Sequence, residues 1–138
     1  MVLIIILLFV LVYYFFFTTS ETRPDTFANK RFFEKFTKTE ITPDIKNIYC
    51  YSNEIGFDAV YRMKFNCNRE AVKTIASNLQ LEKSEKPDEG LIGGEPVGWD
   101  DAVVRTVLPY RKEDGRRNFW FLWYDSTHQQ AYFLKFDS

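Results

Sequence analysis

Sixteen consecutive residues, Val2 to Phe17 (VLIIILLFVLVYYFFF), carry no charge, no Gly and no Pro. A stretch that is apolar all round has no polar face to offer water, so its surroundings must be a core or lipid. A core helix keeps a polar face somewhere, and this one has none. With Thr18, Thr19 and Ser20 the run reaches roughly 20 residues, which at ~1.5 Å each cover ~30 Å of hydrocarbon. Val2–Phe17 alone is slightly short, and short spans thin the bilayer or let flanking groups snorkel. The expectation is a transmembrane helix or signal anchor over residues 1–20. The alternative is a cleaved secretory leader, which needs a basic start and a small-residue cleavage site. Here Val2 follows Met1 directly, and three Phe stand before Thr18 and Ser20. The uncleaved anchor is the stronger reading.

Two rules disagree about which side the remainder faces. Arg23, Lys30, Arg31 and Lys35 all follow the run, and the positive-inside rule would keep the body in the cytoplasm. A terminal apolar run ahead of a soluble domain is also the layout of an outward-facing signal anchor. The expectation is a single-pass membrane protein with its soluble domain on the extracytoplasmic side.

All 18 Lys and Arg and all 19 Asp and Glu lie after the apolar run, interspersed and nearly cancelling. That excludes the basic stripe of a nucleic-acid binder and the one-signed composition of an acidic disordered tail. The remaining length suits one domain with its own core.

Residues 21–45 read as an amphipathic juxtamembrane helix and linker. In TFANKRFFEKFTK, Phe32, Phe33 and Phe36 cluster on one side at 100° per residue, while Lys30, Arg31, Lys35 and Lys38 take the other. Two explanations stand: a helix lying on a membrane surface, or a Phe face docked on the domain's own sheet. The lipid bilayer is the expected partner of Lys30, Arg31, Phe32, Phe33, Lys35 and Phe36 under the first. Pro24-Asp25 supplies a break and a cap before it, and Thr42-Pro43-Asp44 a turn after it.

From Lys46 the period becomes two. NIYCYS and FDAVYRMKFNC read as strands joined near Asn53–Gly56, with Phe57, Ala59, Tyr61, Met63, Phe65 and Cys67 on a buried face. Asp58, Arg62, Lys64 and Asn66 point to a wet one, as in an antiparallel sheet. Asn68–Leu79 switches to a helical period with Asn68 as N-cap. A loop is expected from about Lys83 to Asp101, then strands AVVRTVLPYR, NFWFLWY and AYFLKF. Asp114-Gly115 and DSTHQQ mark the turns between them. The fold class is α+β over residues 46–138: one antiparallel sheet of about five strands with a helix packed on one face.

A hairpin centred at Asn53–Gly56 puts Cys50 opposite Ala59 and leaves Cys67 roughly 27 Å away at ~3.3 Å per residue. A disulfide is therefore not expected, since its Cα atoms must lie within ~7 Å. No metal site is expected from two Cys without spaced His, and no cofactor motif is present. GLIGG (Gly90–Gly94) lacks the Lys and Ser/Thr of a phosphate loop.

Catalytic groupings are sparse. His128, the only histidine, shares a turn with Asp125, Ser126 and Thr127, and three neighbours in one turn rarely hold triad geometry. It reads as a solvated turn residue. Glu95, Asp100 and Asp101 flank Trp99 on a Gly-containing loop. They could serve acid–base work or hold a hard cation, or Trp99 could simply anchor the loop on the core. In NFWFLWY, Phe119, Phe121 and Trp123 alternate with Trp120, Leu122 and Tyr124. Such a strand is either covered on both faces or exposes Trp120 and Tyr124 to a partner.

The stretches TPDIKNIYCY, GFDAVYRMKF and WYDSTHQQAYFLKF resemble those of small uncharacterised bacterial proteins with an N-terminal membrane segment and one α+β domain. The resemblance implies that architecture and carries no activity or functional residues. The functional expectation is a membrane-tethered, non-catalytic interaction or accessory domain facing the envelope. Its candidate binding residues are Trp99, Asp100, Asp101, Trp120 and Tyr124, and its partner is the envelope surface or a protein whose identity the sequence does not give. The alternatives are a small hydrolase on the Glu95–Asp101 loop and a toxin-neutralising immunity protein.

Overall fold

A computed structural model describes residues 1–87, 99–115 and 117–138. Among the described residues, four helices, α1 (Val2–Phe17), α2 (Phe27–Thr37), α3 (Arg69–Leu79) and α4 (Asp101–Thr106), accompany six strands. The strands are β1 (Lys46–Ile55), β2 (Asp58–Asn66), β3 (Glu82–Lys83), β4 (Tyr110–Glu113), β5 (Phe119–Asp125) and β6 (Gln130–Asp137). They form one antiparallel sheet in the order β1-β2-β6-β5-β4-β3. The class is α+β, as the periodicity implied.

Three sequence expectations are corrected. The first concerns α1. It stops at Phe17 because Thr18 is extended (φ −99, ψ 124), and sixteen residues rise only ~24 Å. No described helix is long and apolar enough to cross a membrane, so a spanning helix over 1–20 is not what the structure contains. The second concerns AVVRTVLPYR, which is not one strand. Its first part is α4, started by Asp100, whose carboxylate accepts from Ala102 N at 2.9 Å; only Tyr110 onward joins the sheet.

The third concerns the β1–β2 hairpin. Ile55 pairs with Asp58, so the connection is Gly56-Phe57, with Gly56 at φ +63 where a side chain would be strained. Cys50 therefore faces Met63, not Ala59. Cys67 lies four residues further, about 13 Å along the strand. Both thiols are free and buried. Phe57, expected on the buried face, is instead fully exposed at the hairpin tip.

Both faces of the sheet are covered. On one, Ile48, Cys50, Met63, Phe65, Leu122 and Phe133 pack with Phe33 of α2 and Val72 and Ile75 of α3. Phe33 is wholly buried, edge-on to Phe65 at 4.9 Å. Asn68 caps α3 by accepting from Ala71 N. On the other face Phe121, Trp123, Tyr132 and Leu134 meet Val104 of α4, with Trp99 packed against them. The polar side of β2 is thus only partly wet: Arg62 is 3% exposed and lies beneath the Trp99 ring.

The segment after α1 is fastened to the edge of the sheet. Ser20 O accepts from Cys50 N at 3.0 Å, and Asp25 N donates to Ile48 O. The Asp25 carboxylate accepts from Asn47 N and Ile48 N, which pins the irregular start of β1. Asp25 thus caps a strand, while Thr26 caps α2. Asn29, fully buried, closes the clasp. Its oxygen accepts from Ser20 N at 2.7 Å, and its amide donates to Ser20 O, Arg23 O and Ile48 O at 2.9, 3.0 and 2.8 Å.

Candidate functional site: a lysine-rimmed aromatic groove

Strand register builds the site. Trp120 of β5 pairs with Lys112 of β4 on one side and Lys135 of β6 on the other. Direct cross-strand partners point to the same face, so one indole carries an ammonium on each flank, at 5.5 and 5.6 Å from the ring centre. Lys135 is caged further by Phe36 and Tyr61 at 5.4 and 5.6 Å and pairs with Asp137 at 2.8 Å. Lys112 reaches toward the last carbonyls of α3, donating to Leu79 O at 3.4 Å, where a cation suits the helix dipole.

α2 and α3 both end at this place, on left-handed residues Lys38 and Gln80. Asn78 ties the two ends together by donating to Lys38 O and Thr39 Oγ1. Between these ends and the sheet lies a groove of about 480 Å³, with Lys35, Lys38, Lys112 and Lys135 around its rim and Phe36, Leu79 and Trp120 in its wall. None of its lining residues is acidic. The arrangement can hold an anion against an aromatic floor.

The other candidate residues are dispersed. Tyr124 is on the same face as Trp120 but beyond α3, where its hydroxyl donates to Cys67 O at 3.2 Å. It lines a separate cleft with Arg69, Lys73 and Lys83. Trp99 is on the opposite face, edge-on to Tyr132 and Trp123 at 5.2 and 6.1 Å. It anchors the chain over the second core. Asp100 is occupied as the α4 cap, and Asp101 opens that helix. Glu95 and Gly90–Gly94 lie outside the described residues, so the hydrolase constellation is not assembled among those described. No three His, Cys, Asp or Glu among the described residues are placed to share a metal.

His128 Nδ1 sits 2.5 Å from Asp125 Oδ2, while Asp125 Oδ1 accepts from Thr127 N and His128 N. These bonds, His128's first, hold the Asp125 carboxyl below its usual range. Ser126 does not join the pair: the aspartate is spent on the turn, and the imidazole is largely exposed.

On α2 the docking explanation prevails for the Phe residues. Phe33 is buried, and Phe32 and Phe36 lie on Tyr61. Lys30, Arg31 and Lys35 remain exposed. The lysine groove escaped the sequence reading because Lys35, Lys38, Lys112 and Lys135 come from three distant segments. The available signal was that Lys112 and Lys135 alternate into phase with Trp120 once the two hairpins are registered.

Buried acids give one prediction. Desolvation pushes Cys67 from 9.0 to about 12 and Cys50 higher still. It also raises Tyr61 and Tyr132 from 10.0 to about 12. Each folded value exceeds the unfolded one, so the stability is fully present below about pH 9 and is lost as pH rises toward 12. Urea midpoints should hold from pH 7 to about 8.5 and fall steeply above. Cys67→Ser should flatten part of that fall, and an unchanged alkaline slope in the variant would count against the buried thiol.

Comparison with family models, curated proteins and solved structures gives no match to this chain.

Proposed function

We propose that this chain is a membrane-tethered, non-catalytic interaction domain, held at the bilayer by α1 and offering the Trp120 groove to an acidic segment of a protein partner. The observation that carries the reading is the surface of α1. None of its residues is buried, and every residue from Met1 to Phe17 is at least 46% exposed. An apolar patch of that size demands a covering medium. Because the helix is apolar on all sides, lipid suits it better than a groove on one partner. α1 is too short and is not a span, so the tether is insertion of its apolar surface into the bilayer and not a full crossing. The layout is also that of the small bacterial membrane-anchored proteins it resembles, with the body on the extracytoplasmic side.

Charge complementarity names the groove's occupant. Of the four rim lysines only Lys135 has a carboxylate within ion-pairing distance among the described residues, so carboxylates are the missing counter-charge. The aromatic wall offers contact area to the backbone and side chains between them.

Two measurements test the proposal. Full-length chain should float with neutral phosphatidylcholine vesicles in high salt, where purely electrostatic attachment is screened; sedimentation as a free protein would end the tethering reading. A labelled short polyglutamate peptide should bind the body, and Lys38→Gln with Lys112→Gln should weaken it about fivefold to tenfold, since exposed pairs contribute ~0.2–1 kcal/mol each. Equal affinity in the variant would remove the groove as the binding surface.

A further inference from the structure

A second groove lies where α1 meets the body. It holds about 400 Å³ between Phe16 and Phe17 at the end of α1, Thr19 just after it, and Ala28, Arg31, Phe32 and Lys35 of α2. We infer that this groove is a binding site for the headgroup of an anionic phospholipid, an assignment that rests on the tethering reading above.

Arg31 and Lys35 are four residues apart, so both stand over one face of α2. Neither forms an ion pair among the described residues: Arg31 lies over the Phe27 ring at 5.7 Å and Lys35 over Phe36 at 5.2 Å. No acidic residue lines the groove. An arginine fork fits two oxygens of a phosphodiester, and a nearby lysine adds a point charge. The apolar half of the lining matches the other half of such a ligand. Phe16 and Phe17 belong to the helix that enters lipid, and Phe16 meets Phe27 edge-on at 6.1 Å. A molecule seated here would have its acyl chains alongside α1 and its phosphate beside α2. A soluble phosphate would satisfy only the cations, and that difference assigns the site to lipid.

The position follows from chain geometry. Only Thr18 and Thr19 separate the end of α1 from the Ser20 clasp on β1, so α2 cannot drift from the level at which the chain leaves the bilayer. That level is the headgroup layer.

Native mass spectrometry of the full-length chain in neutral detergent, titrated with phosphatidylglycerol or phosphatidylcholine, tests the site. One phosphatidylglycerol should bind in preference to phosphatidylcholine, and Arg31→Gln with Lys35→Gln should reduce that binding about tenfold or more. Glycerol phosphate at matching concentration should not compete. Equal binding of the two lipids, or an unaffected double variant with native circular dichroism, overturns the headgroup site. Competition by glycerol phosphate reassigns it to a soluble anion and overturns the lipid claim. Vesicle flotation separates the two layers of argument. A chain that floats on phosphatidylcholine yet shows no lipid preference loses only this site, whereas a chain that does not float loses both.

Discussion

Deletion of residues 2–17 should abolish vesicle flotation and leave the thermal midpoint of the body within a few degrees of the full chain. The first half of this expectation comes from transfer energies. Fourteen of the sixteen α1 residues are Leu, Ile, Val or Phe, and each favours insertion by about 0.3–0.6 kcal/mol at mid-membrane, a sum of about 4–8 kcal/mol. The second half comes from burial. α1 supplies no buried residue, and neither core draws on it. Its contacts with the body are peripheral, such as Phe16 with Phe27 and Arg23 over Phe15. Loss of flotation together with a collapse of the thermal midpoint would mean that α1 belongs to the fold. Retained flotation would transfer the anchoring role to α2.

Asn29→Asp should destabilise the body by about 4 kcal/mol, enough to lower the thermal midpoint by on the order of 15 °C. The replaced amide is wholly buried and donates to three carbonyls. A carboxylate of the same shape has no donor and sets a buried negative charge against those oxygens. Its own oxygen can still accept from Ser20 N, which offsets only part of the loss. Asn29→Leu should be milder, about 2–3 kcal/mol. Ser20 O keeps Cys50 N and Ile48 O keeps Asp25 N as donors, so fewer carbonyls are orphaned. The aspartate variant also has a pH signature. Burial among carbonyls disfavours the charged form, so the folded-state pKa rises above the unfolded value. The penalty is full at neutral pH and shrinks as pH falls and the carboxyl regains a proton to donate. The leucine variant has no such dependence. Identical urea midpoints for the wild type and the aspartate variant at neutral pH would refute the clasp.

The alternation in β2 and β5 and the cap and stripe of α3 were readable because each rests on neighbouring residues alone. Phe119, Phe121 and Trp123 do face one core, and Leu122 with Trp120 and Tyr124 the other. The errors arose where distant partners decide. AVVRTVLPYR is rich in β-branched residues, which favours strand. The structure uses Val103, Val104 and Val107 at helical spacing to seal the second core, and the Asp100 cap was the overlooked signal. β3 has two residues and exists only through β4, which no local pattern encodes. The hairpin shift at Gly56 moved Cys50 by four positions relative to β2. The role of Asn29 was invisible for a similar reason, since its partners Ser20 and Ile48 are separated from it by 9 and 19 positions.

The clasp at Ser20 also sets a working distance. Two residues of free chain reach at most about 7 Å, so the sheet is hung on a very short leash from the last turn of α1. With that helix in lipid, the body cannot sweep a volume in search of partners as a domain on a long linker does. On the tethering proposal, an occupant of the Trp120 groove would have to be delivered to the bilayer surface, by diffusing within the same membrane or by being anchored beside it. Encounter would then be set by crowding in two dimensions and would depend little on concentration in the surrounding solution.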